Sequence, residues 1–171
     1  LACCTTQRRL ALTAAAPAFD VAVIGLGAMG AATLYQLARR GVRAIGVDRF
    51  TPPHSFGSSH GETRITRQAI GEGAAYVPLV LRSHAIWDEL EAATGTRLIE
   101  RCGFLAIAAP EARAEMHGTP GFVAATIATA QQFGIVHEVP GATETARRFP
   151  QFALRGDETC YYEPGGGYVI P

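Results

Sequence analysis

The chain has 171 residues, of which 48% are hydrophobic and 18% charged, and its 15 basic and 15 acidic side chains balance. This length allows one sizeable core, or one domain and a piece of another. The absence of a basic stripe or polybasic segment argues against nucleic acid or an anionic membrane as partner, and no apolar run reaches the roughly 18 residues of a membrane span. The composition therefore predicts a soluble, globular protein.

The four cysteines (Cys3, Cys4, Cys102 and Cys160) form no C-x-x-C pair and have no histidine at zinc-ligand spacing. Reduced thiols in an intracellular protein are therefore expected, without a metal site. Residues 1–18 begin with Leu instead of Met, and we expect an incomplete start and a disordered extension. Arg8 and Arg9 before a short apolar stretch are similar to an export signal, although the stretch is short for one, and an organellar transit segment is the second alternative.

The first predicted elements form a βαβ unit. An apolar run over 21–24 predicts a buried parallel strand, a helical pattern covers 28–40, and a second apolar run covers 42–47. Gly25, Gly27 and Gly30 lie between the first strand and the helix in the pattern G-x-G-x-x-G. Asp48 follows the second strand, close to the roughly 20-residue spacing expected of the acid that holds an adenosine ribose.

Each of these three glycines meets a steric or conformational requirement of the motif. Gly25 permits a sharp turn, Gly27 has no Cβ to obstruct a pyrophosphate, and Gly30 permits close packing of helix on strand. The helix N-terminus then offers free N–H groups to the phosphates. The pattern predicts dinucleotide binding, and these residues alone leave FAD and NAD open.

The rest of the chain has a different pattern. Because one βαβ unit cannot bury both faces of its sheet, we expect a discontinuous nucleotide domain whose other strands lie beyond Pro171, which makes the chain an N-terminal fragment. The elements predicted in chain order are a loop (51–61), a short polar-to-apolar segment (62–70), a helix (76–94) ending at Gly95, strands (97–109) antiparallel around Gly103, a helix (121–133), a strand (135–139), a helix (143–149) and two strands around Gly165–Gly167.

The predicted fold class is therefore α/β with an α+β second domain. It comprises a Rossmann-like βαβ unit and the incomplete start of an antiparallel-sheet substrate domain. The predicted organisation is a disordered extension (1–18), part of the nucleotide domain (19–78), a linking helix (79–97) and the start of the substrate domain (98–171).

A second motif resembles a known family. Residues 46–90 contain PPH, then GSSHGETRITR, GEG, YVPL and a helix with a Trp, and looser similarity continues through RCGFLAIA, ARRFP and YYEPGGGYV. In this combination the chain resembles the family of monomeric sarcosine oxidase and N-methyl-tryptophan oxidase, which are FAD-dependent amine oxidoreductases.

The resemblance implies roles for particular residues. Gly25, Gly27, Gly30 and Asp48 would hold the ADP half of FAD, and the cofactor-binding set also includes Arg49, Ser58 and Arg64. Arg64 and His60 would lie near the isoalloxazine ring, and Arg67 would grip the substrate carboxylate; these three are the candidate catalytic residues. A guanidinium matches a carboxylate bidentately, and positive charge near the flavin stabilises its reduced form.

Simpler interpretations stay open for several of these residues. Two arginines three apart are usually a solvated face, and a loop histidine such as His60 is more often a hydrogen-bonding residue than a base. We expect His54 to serve the turn and Trp87 to pack in the core, and we assign no role to Tyr161, Tyr162 or Glu163.

The implied activity is that of an FAD-dependent oxidase of secondary amino acids. A hydride equivalent would pass from the N–CH carbon to flavin N5, and oxygen would be reduced to hydrogen peroxide. Alternatives are a flavin-dependent amine dehydrogenase with another electron acceptor, a less favoured NAD enzyme, and an inactive ADP-binding fragment. The expected partners are an amino-acid substrate and oxygen, in the cytoplasm, or in peroxisomes if the source is eukaryotic.

The chain also departs from the family pattern. Relatives often read R-H-A-Y where this chain has Arg67-Gln68-Ala69-Ile70, and Glu62 replaces a commoner Asp. The loss of a histidine and an aromatic residue predicts a substrate pocket unlike that of sarcosine oxidase itself.

Overall fold

The computed structural model describes residues 18–61, 64–110 and 121–170. The chain divides into two compact units, with the boundary between His60 and Gly61. The domain boundaries expected at residues 78 and 97 stay predictions. The expected disordered extension, apart from Ala18, and the substitution at Glu62 lie outside the described residues.

The first unit is a βαβ motif, as predicted. Strand β1 (Val21–Ile24) pairs in parallel with β2 (Ala44–Val47), and helix α1 (Ala28–Arg39) connects them. The second strand begins later than its apolar run because the Val42 amide donates to Leu37 O at 3.1 Å, which closes the end of the helix.

Helix α1 packs on one face of this two-stranded sheet. A Cβ on Gly46 would come within 2.7 Å of the Leu26 side chain and 2.8 Å of the Leu34 side chain, so the strand passes directly beneath these residues. The side chains that alternate with this covered face point to the other face of the sheet, where Ile24 of β1 is 79% exposed and Val47 of β2 is 47% exposed. Within the described residues, the helix therefore covers one face of the sheet and the other face remains apolar and open.

The second unit combines short antiparallel sheets with helices. Its elements in chain order are β3 (Arg64–Thr66), a 3-10 helix (Ala74–Tyr76), α2 (Val77–Thr94), β4 (Ile99–Glu100), β5 (Phe104–Ala108), α3 (Phe122–Phe133), α4 (Ala142–Arg148), β6 (Thr159–Glu163) and β7 (Gly167–Val169). Strand β7 lies between β3 and β4 in one sheet, and β5 pairs with β6 in another. The fold class expected from the sequence is confirmed.

The antiparallel pairing expected around Gly103 was wrong, whereas both strands expected around Gly165–Gly167 are present. The strands around Gly103 do not pair with each other, and neither do those around Gly165–Gly167. Each glycine segment instead carries the chain from one sheet to the other. The Gly103 amide donates to Gly166 O at 3.0 Å, so the two crossings lie side by side.

The expected strand over 135–139 was also wrong. The Ile135 amide donates to Ala130 O at 2.9 Å and so completes the end of α3. Only a single antiparallel bridge forms in this stretch, between Glu138 and Tyr162. Of the apolar residues that indicated a strand, Ile135 serves the helix end and the core, whereas Val136 and Val139 are exposed.

The core of the second unit lies between the β5–β6 sheet and α3. Its buried members are Ala69, Val77, Ala106, Phe122, Val123, Ala130, Ile135 and Tyr161. Helix α2 ends at Gly95, whose φ of 66° places it in the left-handed conformation expected of a helix stop. On α2, His84 is buried, Leu81 is exposed, and Trp87, which was expected in the core, is half-buried.

His84 connects α2 with β3 from a buried position. Its Nε2 lies 2.8 Å from Thr66 Oγ1, and its Nδ1 has no hydrogen-bond partner among the described atoms. Burial, followed by the positive charge of Arg101, lowers the pKa of His84, while Glu163 and Asp88 oppose this effect. The neutral imidazole is therefore the form that the fold accommodates.

This environment predicts a pH dependence of stability. Below the ordinary histidine pKa of about 6.5 the unfolded chain binds a proton that folded His84 resists, so stability is complete above that pH and falls as the pH drops towards the folded-state pKa. We expect the thermal unfolding temperature of the complete protein to decrease as the pH is lowered from 6.5 to 5. The His84→Gln variant should show a smaller decrease. His137→Gln is the control and should retain the full decline. An unchanged pH dependence in His84→Gln would contradict the assignment.

Among the described residues, no helix has both the length and the apolarity required to cross a membrane. Within the same ranges, no three His, Cys, Asp or Glu side chains converge in a way that could hold a metal ion.

Candidate functional site

The glycine-rich turn of the first unit has the geometry of an anion-binding loop. Gly25 adopts φ 87°, and its amide donates to Val47 O at 2.7 Å. A Cβ on Gly30 would lie 1.7 Å from Gly25 O, so only glycine permits this approach of helix to turn. Around Gly27, by contrast, nothing lies within 4 Å of such a Cβ.

Gly27 is also the N-cap of α1. No side chain caps this helix, and its first turn contains no acidic residue. The free N–H groups of the helix N-terminus and the space beside Gly27 therefore suit a diphosphate, which would accept hydrogen bonds there.

Asp48 fixes this turn to the end of β2. Its Oδ2 accepts the Leu26 amide at 2.6 Å, its Oδ1 accepts the Phe50 amide at 2.9 Å, and His54 Nε2 lies 3.3 Å from Oδ1. These backbone amides, that of Phe50 first, hold the pKa of Asp48 below its ordinary value. Its side chain is 10% exposed. The carboxylate is thus charged, fixed in place and directly beside the glycine turn, while its role with a ribose stays a prediction.

The loop after Asp48 packs on its own aromatic side chains. Phe50 stacks on Phe56 with ring centroids 4.2 Å apart, and His54 meets Phe50 edge-on at 5.3 Å. The Arg49 guanidinium lies 5.3 Å from the Phe50 ring centroid. His54, expected only as a turn residue, is therefore a structural link between this cluster and Asp48.

The remaining candidates of the first unit are exposed. Ser58 and His60 both lie at the surface, and His60 Nδ1 forms a short hydrogen bond with Gly57 O. This contact supports the loop role of His60, and its assignment to catalysis stays a prediction, as does the cofactor role of Ser58.

Arg64 and Arg67 both belong to the second unit. Arg64 begins β3 opposite Val169 and is exposed. Its guanidinium lies over Gly61: a Cβ there, at φ 118°, would be 3.0 Å from Arg64 Nη1. The absence of a side chain at Gly61 therefore leaves room for this guanidinium.

Arg67 is held more tightly. Its Nη2 donates to both carboxylate oxygens of Glu72, at 2.5 and 2.7 Å, and the guanidinium carbon lies 5.5 Å from the Phe104 ring centroid and 5.3 Å from that of Phe122. Its buried Nε has no hydrogen-bond partner among the described atoms. A buried N–H that lacks an acceptor costs about 1–3 kcal/mol, which makes this donor a candidate for binding a ligand.

An open cleft of about 500 Å³ lies beside Arg67. Its lining consists of Arg67, Ile70, Glu72, Tyr76 and Val80. One end therefore presents a cation and its carboxylate partner, and the rest of the wall is apolar or aromatic. Such a surface suits a small molecule that combines a carboxylate with an apolar substituent.

Sequence reasoning placed Arg67 at the candidate site but missed Glu72 and Glu163. Glu72 stands in the GEG segment that carried the family resemblance, but its five-residue spacing from Arg67 is not a spacing that indicates a pair. Glu163 is 0% exposed and accepts the backbone amides of Gln68 and Ala69. Only the fold brings it to this segment, since 94 positions separate Glu163 from Ala69.

Comparison with known proteins supports the resemblance. The profile of a family described as FAD dependent oxidoreductase (DAO) matches residues 20–171. The chain is 41% identical over 155 residues to monomeric sarcosine oxidase of Streptomyces avermitilis, a match that covers 91% of this chain and 38% of that protein. It is 36% identical over 151 residues to N-methyl-L-tryptophan oxidase of Yersinia pestis, covering 88% and 38% respectively.

A solved structure shows the same relationship. The chain superposes on NikD, an unusual amino acid oxidase of nikkomycin biosynthesis, with a TM-score of 0.71 and 28% identity, covering 89% of this chain and 37% of NikD. The chain thus spans less than two-fifths of the length of these relatives. The glycine fingerprint, the architecture and the family match agree, and the chain belongs to the DAO family of FAD-dependent oxidoreductases.

Proposed function

We propose that the complete protein is an FAD-dependent oxidase of secondary amino acids, with N-methyl amino acids as the first substrate class to test. The observation that carries this proposal is the environment of Arg67. Its guanidinium contacts the rings of Phe104 and Phe122, the residue lines a mainly apolar cleft, and its buried Nε has no partner among the described atoms. The relatives named as sarcosine and N-methyl-L-tryptophan oxidases support the substrate class.

The residues of the first unit fit the ADP half of FAD. The open space at Gly27 and the uncapped start of α1 would take the diphosphate, and Asp48 would accept the ribose hydroxyls. We propose that Arg49, Ser58, His60 and Arg64 contribute to the flavin site. When bound, FAD supplies two-electron chemistry, in which a hydride equivalent leaves the N–CH carbon for flavin N5 and oxygen takes up the electrons as hydrogen peroxide.

The role of Arg67 would be to orient the substrate. Nε and Nη2 form one edge of a guanidinium, and Nη2 already donates to Glu72. Because Nε is buried, a substrate carboxylate would reach it only after the Arg67 side chain turns towards the cleft, and a two-point contact along that edge would also require the Glu72 contact to loosen. Such anchoring would hold the reactive C–H in one position and so contribute to catalysis through orientation.

The test uses the complete protein purified with its cofactor. We expect flavin absorbance, and oxidation of sarcosine or N-methyl-L-tryptophan with one hydrogen peroxide formed for each substrate oxidised. Glycine and L-tryptophan are the matched controls, since they lack only the N-methyl group.

The other outcomes have definite meanings. Protein that retains no flavin would overturn the cofactor assignment for this chain. Oxidation that reduces an added dye without forming peroxide would identify an amine dehydrogenase, and flavin binding without turnover of any secondary amino acid would favour an ADP-binding role. We also propose the cytoplasm as the location, and cell fractionation tests this independently.

A further inference from the structure

The strongest unassigned feature of the chain is the buried side chain of Glu163 at the end of β6. It is 0% exposed and accepts three hydrogen bonds. Its Oε1 accepts the Gln68 amide at 2.6 Å, and its Oε2 accepts the Ala69 amide at 3.0 Å and the Tyr161 hydroxyl at 2.7 Å. All three partners are donors, so the position requires a group that only accepts.

These contacts hold the chain immediately after Arg67. Strand β3 ends at Thr66, so Arg67 lies between a strand paired with β7 and two amides fixed by a carboxylate. Ala69 is itself 0% exposed within the core. The main chain is therefore fixed on both sides of Arg67.

Glu163 also relates to the rings that hold the Arg67 side chain. In the β5–β6 ladder Glu163 stands opposite Phe104, and the Phe104 ring is one of the two that contact the guanidinium. Tyr161, two residues earlier on β6, is 0% exposed, and burial together with its hydrogen bond to Glu163 raises the pKa of its phenol. The hydroxyl therefore stays a donor to Glu163 throughout the neutral range.

We propose that Glu163 is a positioning residue for Arg67, with Tyr161 orienting its carboxylate. This inference rests on the proposed function, because it assigns Glu163 to the residue that would anchor the substrate carboxylate. Glu163 does not touch the substrate. It fixes the main chain from which the guanidinium reaches the cleft, and a small displacement of such a group is enough to weaken an oriented contact.

Glu163→Gln tests this with little change in shape. The amide replaces one acceptor oxygen by an NH₂ group, which would then face at least one N–H that has lost its acceptor. We expect KM for the N-methyl substrate to rise about tenfold with kcat within twofold. Independently of activity, hydrogen exchange of the peptide that spans residues 64–70 should accelerate.

The chain offers a matched control. Glu158 also accepts two backbone amides, of Arg155 at 2.8 Å and Gly156 at 2.9 Å, but these belong to a loop without a proposed role in the site. Glu158→Gln should leave KM and the exchange of residues 64–70 unchanged. If both variants changed KM equally, the effect would be a general one of losing a carboxylate–amide contact, and the proposal would be wrong.

The double variant separates this inference from the proposed function. If Glu163 acts through Arg67, then Glu163→Gln combined with Arg67→Gln should have the same kcat/KM as Arg67→Gln alone. Additive losses would overturn the proposal. Should Arg67→Gln itself have no effect, the proposed function of Arg67 fails, while faster exchange in Glu163→Gln would still establish the contact as a support of this segment.

Tyr161→Phe provides a second, milder variant. It removes one of the three donors and leaves both amides in place, so we expect a two- to threefold rise in KM and a small acceleration of exchange. If Glu163→Gln does not fold, the result of Tyr161→Phe decides, and no change in either measurement would contradict the proposal.

Discussion

Replacing Arg67 by glutamine is expected to lower kcat/KM for the N-methyl amino acid about 30-fold or more. Loss of one partner from a buried, hydrogen-bonded charge pair costs roughly 2–5 kcal/mol, and each 1.4 kcal/mol corresponds to about tenfold. The variant would also leave the Glu72 carboxylate without its two hydrogen bonds from Nη2. Steady-state kinetics of the complete, flavin-loaded protein provides the measurement.

Arg82→Gln is the matched control for this prediction. Arg82 lies on α2 in the same unit, pairs with Glu89 at 2.7 Å and is 54% exposed, and an exposed pair of this kind contributes little. We expect its kinetics to match the wild type. The kcat/KM of Arg67→Lys should lie between that of Arg67→Gln and that of the wild type, because an ammonium keeps the charge but not the planar two-point geometry. An Arg67→Gln enzyme within threefold of wild type would show that the carboxylate is held elsewhere.

Substituting alanine for Gly27 should weaken FAD binding about 10- to 100-fold, since overpacking of a well-fitted site costs roughly 1–3 kcal/mol. Nothing in the chain lies within 4 Å of the added methyl group, and the φ of −66° is accessible to alanine. The apoprotein should therefore fold normally, and only a ligand approaching the turn would meet the Cβ. Titration of the apoprotein with FAD, followed by flavin fluorescence, measures the effect.

Two other glycines make the interpretation of this result definite. Gly141 is likewise the N-cap of a helix, with φ −66° and no neighbour within 4 Å of a Cβ, but it belongs to the second unit and is not part of the fingerprint. Gly141→Ala should bind FAD normally. Gly30→Ala should fail at the level of folding, because its Cβ would lie 1.7 Å from Gly25 O. Normal FAD affinity in Gly27→Ala would show that the diphosphate does not bind at this turn.

Local patterns accounted for the elements whose contacts are close in sequence. The βαβ unit and the ends of α2 and α3 follow from apolar periodicity and from glycines at Gly95 and Gly134, which both adopt the left-handed conformation. Strand β3 was missed because it has three residues and pairs with β7 near the other end of the described chain. The false pairing around Gly103 arose because a glycine turn has the same local sequence whether the chain folds back on itself or crosses to another sheet.

The candidate site was predictable only in part. The fingerprint and Arg67 could be assigned from residue types and a family resemblance, whereas the partners of Arg67 depend on tertiary packing. Phe104 and Phe122 approach it from a strand and a helix that are distant in sequence. Glu163 was left without a role because an acidic residue before Pro-Gly-Gly-Gly looks like part of an exposed turn, and nothing local indicates that it is buried.

The hydrogen bonds of Asp48 have a consequence for how the cofactor would be captured. The carboxylate is already immobilised by the Leu26 and Phe50 amides, so its rotamer freedom is given up when the protein folds and not when the nucleotide arrives. A sugar entering this corner would meet a preorganised acceptor. The entropic cost of ordering this carboxylate is thus met during folding and does not reduce the affinity for the nucleotide. Mutations that remove these amide contacts should therefore slow the association of the cofactor and speed its dissociation.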